Sequence, residues 1–320
     1  MRKKIYFSGK YSDLDRRFIS DKLSNICKIF FDPITHEQAQ EVSMMIASNV
    51  DVEKLAAFTE LSVIQNLGSG VEKLKVDEIK RLGIQIFNSY SHTPFVAEFA
   101  VALAHDLVKK ITINHDMLRR GVWWRPKYDD SDYLYQATTL RNSSIGLIGF
   151  GRLGQYICNY LEPYNCKFLA YNRSQQQHVP HLPKVQYTQL AEVIERSDLI
   201  FVTLPITEST YGIVSAELMS KAKRSSLWVV ISRGDVINQN ALYEALLNDK
   251  IAGAAIDAWF QDGRKTDFAY PASYSFHTLQ NVILSPYKAM YLNGVSPNLN
   301  DVIYNVAAFC ENKILNNKVN

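Results

Sequence analysis

Sulphur chemistry has little to work with in this chain. Its four cysteines, Cys27, Cys158, Cys166 and Cys310, lie scattered, with no C-x-x-C pair and no histidine at ligand spacing. That pattern excludes a disulfide framework and a zinc site from the expectations, assigns no metal, and fits a reducing cytoplasm. Long apolar runs are missing as well. The basic start, Met1-Arg2-Lys3-Lys4, passes through Ile5-Tyr6-Phe7 directly into Ser8-Gly9-Lys10, too short a stretch for a secretory leader, and the smooth runs 199–202 and 227–231 are far too short to cross a bilayer. Neither sign of charge dominates. The 35 Lys and Arg against 32 Asp and Glu leave +3, which speaks against nucleic acid or a membrane as partner and for a small molecule. There is also no Pro/Gly/Ser-rich linker, internal repeat or low-complexity tract, so any domain boundary has to be read from a change of pattern.

What is present is length and apolar content: 320 residues, 47% of them apolar, exceed one ordinary core and fit two domains. From about residue 143 onward, short Val- and Ile-rich runs alternate with helical patterns. Strands are predicted over 145–148, 167–171, 199–204, 227–231, 253–256 and 282–284, with helices such as 189–196 and 239–248 between them. This is the α/β signature of a doubly wound parallel sheet of Rossmann type, whose ligands sit at the carboxyl ends of the strands. The first hundred residues read as a smaller α/β unit, with strands over 62–65 and 84–87 flanking a helix over 71–81. A helical stretch follows over 95–119, and a last helix over 298–314, with Asn298 as its cap, is expected to return to the first unit. The resulting division is a substrate domain of 1–102 completed by 290–320, and a dinucleotide-binding domain of 103–289.

Gly149-Phe150-Gly151-Arg152-Leu153-Gly154 follows the run 145–148 directly and opens an amphipathic helix carrying Leu153, Ile157 and Leu161. Gly149 permits a tight turn, Gly151 lets the backbone approach a pyrophosphate, and Gly154 allows close packing of helix on strand, with the helix N-terminus facing the negative charge. Between a strand and a helix, the motif marks a dinucleotide site. Eighteen residues past Gly154, where an NAD site keeps an acid for the ribose hydroxyls, stands Asn172, followed by Arg173 and Ser174. An amide does not repel a 2′-phosphate, and a cation with a hydroxyl can hold one, so NADP is favoured over NAD. The competing reading leaves Arg173 stacked on adenine or in solvent within an NAD site.

A second block, Ile231-Ser232-Arg233-Gly234-Asp235-Val236-Ile237-Asn238, is followed by Ala241-Leu242 and by 251–257, which ends in Asp257. Together with Leu204-Pro205-Ile206-Thr207, Gly68-Ser69-Gly70-Val71, Val96-Ala97-Glu98 and Ser285-Pro286, it resembles the D-2-hydroxyacid dehydrogenases over about residues 60 to 290. The resemblance implies a smaller, flavodoxin-like domain built from both chain termini, a cleft between the two domains, and hydride transfer between NAD(P) and a small 2-oxo or 2-hydroxy acid. It also implies cofactor contacts from Leu204, Pro205, Ile231, Ser232 and Arg233, contact of Asp257 with the nicotinamide amide, and a homodimer. Arg233 and the backbone N–H groups of Ser69 and Gly70 would hold the substrate. A guanidinium offers a fork of donors to a planar carboxylate and polarises the carbonyl beside it, while a backbone nest requires glycine's conformational freedom.

The resemblance breaks at the acid–base pair. The family's histidine, directly after the Thr/Ser-Pro pair, is Tyr287 here, followed by Lys288, and its glutamate partner is Asp262, one methylene shorter. Reducing a 2-oxo acid requires a proton for the oxygen that hydride transfer leaves negative. Tyr287 or Lys288 is one substitute, since a lysine desolvated beside Arg233 would be tuned for proton transfer. His92, in the loop before Val96, is another, and His277, in the insertion between Asp262 and Ser285, has a lower claim. The remaining reading has no acid–base at all, and resembles the C-terminal-binding-protein corepressors, regulators in which a bound dinucleotide sets domain closure or partner binding. Two further segments stand out without a motif behind them: the aromatic stretch Gly121-Val122-Trp123-Trp124-Arg125-Pro126, and the insertion over 260–278 with Arg264, Lys265, Phe268 and Tyr270.

Overall fold

A computed structural model describes residues 2–123, 136–172, 185–261 and 270–319. The chain divides into two compact units, Met1–His92 with Met290–Asn320, and Thr93–Ala289. The junction lies at the start of the helix Thr93–Lys109 rather than at 102, because Ala97 and Ala100 of that helix already belong to the core of the second unit.

In the first unit the described strands are β1 (Lys4–Phe7), β2 (Lys28–Phe31), β3 (Met44–Ile46), β4 (Val63–Gln65) and β5 (Gln85–Phe87). They form one parallel sheet in the order β2-β1-β3-β4-β5, the flavodoxin-like winding. Apolar residues cover both faces. Ile64, Ile79 and Ile86 lie in one cluster, while Ile5, Phe7, Ile19 and Met44 lie in the other with Leu299, Val302 and Val306 of the terminal helix Leu299–Cys310. Beyond that helix the chain end pairs antiparallel with β5, through the Phe87–Lys318 bridge. Asn298 occupies the position before the terminal helix but places no side-chain bond on it, because its Oδ1 instead accepts from His92 Nδ1 at 2.6 Å. The helix expected over 71–81 is shorter, Val76–Arg81, with turns before it.

In the second unit β6 (Ser144–Ile148), β7 (Lys167–Tyr171), β8 (Val185–Tyr187), β9 (Leu199–Val202), β10 (Leu227–Val230), β11 (Gly253–Ile256) and β12 (Val282–Leu284) pair parallel in the order β12-β11-β10-β9-β6-β7-β8. Counted from β6 as the first, this is the doubly wound order 3-2-1-4-5-6 with a seventh strand added at the edge. Every residue of β9, β10 and β11 is buried, as expected for strands covered on both faces. One face carries the helices Thr93–Lys109 and Arg152–Leu161, and the other carries Leu190–Arg196 and Gln239–Leu247. Ile157 and Leu161 are fully buried, each contributing about 1.5–3 kcal/mol, which fixes the start of their helix against the sheet. The long helix expected over 95–119 is broken at Lys110, where φ is 57°, and it restarts as Ile111–Arg119 with the Asp106 carboxylate accepting from Thr112 N at 2.8 Å.

Candidate active site

The strand order of the second unit reverses between β6 and β9, and the loops leaving those two strands meet there. Gly149, directly after β6, has φ +104°. Its N–H donates to Tyr171 O at 2.9 Å, and its carbonyl accepts from Thr203 Oγ1 at 2.6 Å, so the turn is tied to the ends of both neighbouring strands. A Cβ at this position would stand 2.7 Å from Leu204 N, and only glycine fits. Gly154 is similarly close, its Cβ position lying 3.1 Å from Gly149 O. Gly151 differs from both. It is the residue before the helix Arg152–Leu161, it places no side chain over the first turn, and no atom lies within 4 Å of where its Cβ would be. A tight glycine turn with an open face at a helix N-terminus is the cradle a diphosphate requires.

Further sequence candidates lie at the ends of the strands beside this turn. Leu204 is buried after β9, with Pro205 exposed beside it. Ser232, after β10, donates from Oγ to Leu204 O at 2.8 Å and locks these two loops together. Arg233 follows in extended backbone, half-buried, with NH1 donating to Ser232 O at 2.8 Å. Next to it a Cβ on Gly234 would meet Trp259 C at 2.6 Å, so this turn is pressed against the chain after β11. Asn172 stands at the end of β7, half-buried. Arg173 and Ser174, on which the reading of a 2′-phosphate rests, lie outside the described residues, as does Asp262.

Asp257, expected to contact the nicotinamide amide, lies just after β11. It is 2% exposed, and both oxygens accept bonds from the turn after β12. Oδ1 accepts from Ser285 Oγ at 2.5 Å and from Lys288 N at 2.7 Å, and Oδ2 accepts from Ala289 N at 3.2 Å. Trp259 Nε1 adds a bond to Ser285 O at 2.8 Å. These bonds frame Tyr287, which is half-buried at φ 57°. Lys288 is exposed. His277 is exposed and stacked on Tyr270, 3.7 Å between ring centroids. The described part of the insertion packs its aromatics onto the helix Gln239–Leu247, Tyr243 against Tyr274 and Phe276, and so covers core.

In the first unit the loop Gly68-Ser69-Gly70 follows β4 and is held by residues that the sequence argument passed over. Asn66 Nδ2 donates to Gly70 O at 2.8 Å, Asn88 Nδ2 to Ser69 O at 3.0 Å, and Ser89 N to Gly68 O at 3.0 Å. The signal for them was present, since each directly follows a strand predicted from sequence, 62–65 and 84–87, and the pairing of Gln65 with Phe87 sets the two side by side. A cavity of about 600 Å³ lined by Arg2, Lys28 and Phe31 among others lies at the β2 edge of this unit and includes none of the residues above. Among the described residues there is no His, Cys, Asp and Glu cluster able to hold a metal ion, and no helix long and apolar enough to cross a membrane.

A seven-stranded doubly wound sheet with a glycine-turned helix at its switch point defines a dinucleotide-binding protein of Rossmann type. Residues 101–289 match the family description "D-isomer specific 2-hydroxyacid dehydrogenase, NAD binding domain". The chain belongs to that family of NAD(P)-dependent oxidoreductases. It is 32% identical over 251 residues to the glyoxylate reductase/hydroxypyruvate reductase of Mus musculus, across 76% of this chain and 72% of that one. Among solved structures, an NADPH-dependent glyoxylate/hydroxypyruvate reductase from Sinorhizobium meliloti superposes with a TM-score of 0.80 at 22% identity, over 99% of this chain and 98% of that one. An acyclic imino acid reductase in complex with NADPH and D-Arg gives the same TM-score of 0.80 at 22% identity, over 99% of this chain and 100% of that one. At that identity the two structures bear on the fold alone.

Proposed function

We propose that the chain reduces a small 2-oxo acid of the glyoxylate or hydroxypyruvate class to the 2-hydroxy acid, with NADP(H) preferred over NAD(H). The observation that carries this reading is the open face at Gly151, set at the switch point of the sheet, on the same carboxyl edge as Arg233 with the end of β9 between them. The first-turn N–H groups after Gly151 would hold the coenzyme's diphosphate, and Asn172 its ribose edge. When bound, the nicotinamide supplies a hydride to C2 of the substrate.

The chain's own part is binding, polarisation and the proton. The Arg233 guanidinium takes the carboxylate and draws electron density toward the oxo oxygen, which lowers the barrier at C2. The loop amides of Ser69 and Gly70 are donors suited to a carboxylate. The half-buried Tyr287 phenol gives its proton to the oxygen as negative charge collects there, and regains one from water. Asp257 acts through the turn, holding Tyr287 in place. The mouse relative's name supports the substrate class. The exposed apolar residues Ile111, Leu118, Val122 and Trp123 support a homodimer, which together with a cytoplasmic location completes the reading.

Single-turnover oxidation of NADPH by glyoxylate, hydroxypyruvate and phenylpyruvate tests it. Arg233→Ala should lower kcat/KM by about 10²–10³, and Tyr287→Phe should lower kcat by about 10²–10⁴. Full turnover in Tyr287→Phe would move the proton donor elsewhere. Tight coenzyme binding with no turnover on any acid would favour the regulatory reading, for which the observation is that no histidine stands in 285–290. A parallel titration in which NAD(H) bound more tightly than NADP(H) would reverse the coenzyme assignment.

A further inference from the structure

Five polar side chains form a continuous buried network beneath the glycine loop of the first unit. Gln65, Ser89 and Asn305 are fully buried, and Asn66 and Asn88 are nearly so. Gln65 Nε2 donates to Asn66 O and to Ser89 Oγ, each at 3.0 Å, and Ser89 Oγ donates to Asn66 O at 2.8 Å. Asn66 Nδ2 reaches Asn88 Oδ1 at 3.0 Å, while Asn66 Oδ1 accepts from Gly68 N at 3.3 Å. At the far end Asn305 Nδ2 donates to Gln65 Oε1 at 2.6 Å, and Asn305 Oδ1 accepts from Asn316 N at 2.8 Å, which joins the terminal helix and tail to the network. Closing the end of a parallel sheet needs none of this. Burying five polar groups is costly unless each is bonded, and apolar side chains would fill the space without that risk.

What the network does is orient three successive peptides. The carbonyls of Gly68, Ser69 and Gly70 all accept bonds from it: from Ser89 N, Asn88 Nδ2 and Asn66 Nδ2 respectively. In a trans peptide the C=O of one residue and the N–H of the next point in opposite directions. Three carbonyls turned into the network therefore turn the N–H groups of Ser69, Gly70 and Val71 away from it, on one side of the loop. Three consecutive donors on one side are suited to an anion.

We infer that Asn66 and Asn88 are positioning residues, which hold the 68–71 peptides with their carbonyls inward so that the amides of Ser69, Gly70 and Val71 receive the carboxylate of the substrate. The inference rests on the 2-oxo acid reading and extends it to residues that do not themselves touch substrate. It also makes the tail a participant, since Asn305 and Asn316 bond to the same network.

The test uses the full chain, ¹⁵N-labelled, with oxamate as the carboxylate probe. In the wild type the amide signals of Ser69, Gly70 and Val71 should shift and saturate with oxamate; if they do not move, the inference is overturned whatever any variant does. Asn88→Asp keeps the acceptor for Asn66 but replaces the donor to Ser69 O with a second acceptor, and it should weaken oxamate and raise the KM of the 2-oxo acid by about tenfold or more, the scale of one hydrogen bond reversed into repulsion. NADPH affinity and kcat at saturation should stay near wild type, a split that general loosening of the fold would not produce. Equal oxamate binding by Asn88→Asp and wild type would overturn the inference. Saturable oxamate binding at these amides without hydride transfer to any 2-oxo acid would instead refute the proposed reaction and leave carboxylate binding at this loop standing.

Discussion

Two glycines of one turn should fail in opposite ways when each is replaced by alanine. At Gly149 the backbone has φ +104°, and the added Cβ would stand 2.7 Å from Leu204 N, 2.9 Å from Thr203 C and 3.0 Å from Leu204 Cα. All three are backbone atoms of the chain leaving β9, so no side chain can rotate out of the way. The conformational penalty of about 1–2 kcal/mol and an overpacking cost of about 1–3 kcal/mol together give a loss of about 2–5 kcal/mol for Gly149→Ala. For a domain of this size that lowers the melting temperature of the coenzyme-free protein by about 4–20 °C. At Gly151 the backbone has φ −91° and nothing lies within 4 Å of the Cβ position, so Gly151→Ala should leave coenzyme-free stability within about 1 kcal/mol of wild type. Its methyl group occupies the space a diphosphate would enter, and the loss of one or more charge-assisted bonds of about 1.5–3 kcal/mol weakens NADPH about 10- to 150-fold. Thermal unfolding without coenzyme, followed by titration of NADPH against nicotinamide fluorescence, separates the two. Gly151→Ala binding NADPH as well as wild type would refute the assignment of this loop to the coenzyme, however unstable Gly149→Ala proved.

Asp257→Asn exchanges an anion accepting three bonds for an amide whose NH₂ must face a backbone N–H. It should cost about 2–4 kcal/mol locally, seen as faster hydrogen exchange at Lys288 and Ala289; unchanged exchange there would refute the framing role. Thiol labelling has a definite order too. The bond from the Cys27 thiol, with Lys3 nearby, holds Cys310 below the ordinary thiol range. The same contact and burial push Cys27 up, burial raises Cys158, and burial brings Cys166 to about 11. Because alkylation requires thiolate, iodoacetamide near neutral pH should modify Cys310 first, and Cys166 should gain reactivity only as the pH approaches about 11. Mass mapping after timed labelling checks this, and Cys166 reacting ahead of Cys310 would contradict it.

The second unit was legible because its strands are short Val- and Ile-rich runs bounded by turns. The runs 167–171, 253–256 and 282–284 match β7, β11 and β12 end to end. Strands β1 and β2 escaped notice because Lys4 and Lys28 open them and only four residues follow the pattern in each. β8, three residues at the sheet edge with Gln186 exposed, carries even less of a signal. Helix 71–81 was overread because Val71 and Leu74, and then Val76 and Ile79, stand three apart, although only the second half is helical. The break at Lys110 had no glycine or proline to announce it. At the site, the glycine turn was legible because Gly149 and Gly154 each have a steric reason to lack a side chain. Asp257 is less legible, since a carboxylate at a strand end serves a ligand or neighbouring amides equally well in sequence, and only the geometry shows its bonds to the turn after β12.

That geometry also supports the choice of Tyr287 as the proposed proton donor. A bulky residue at φ 57° costs about 1–2 kcal/mol that glycine or asparagine would largely avoid, and it persists only where the surroundings over-determine the backbone. Here they do: Ser285 N is bonded to Ile256 O at 2.9 Å, Trp259 holds Ser285 O, and Asp257 gathers Ser285, Lys288 and Ala289 around one carboxylate. A turn needed only to reverse the chain would have no use for an aromatic ring at its strained position. Fixing a phenol at the carboxyl end of a sheet whose other strand-end loops carry Arg233 and the glycine turn is the use we propose for that strain.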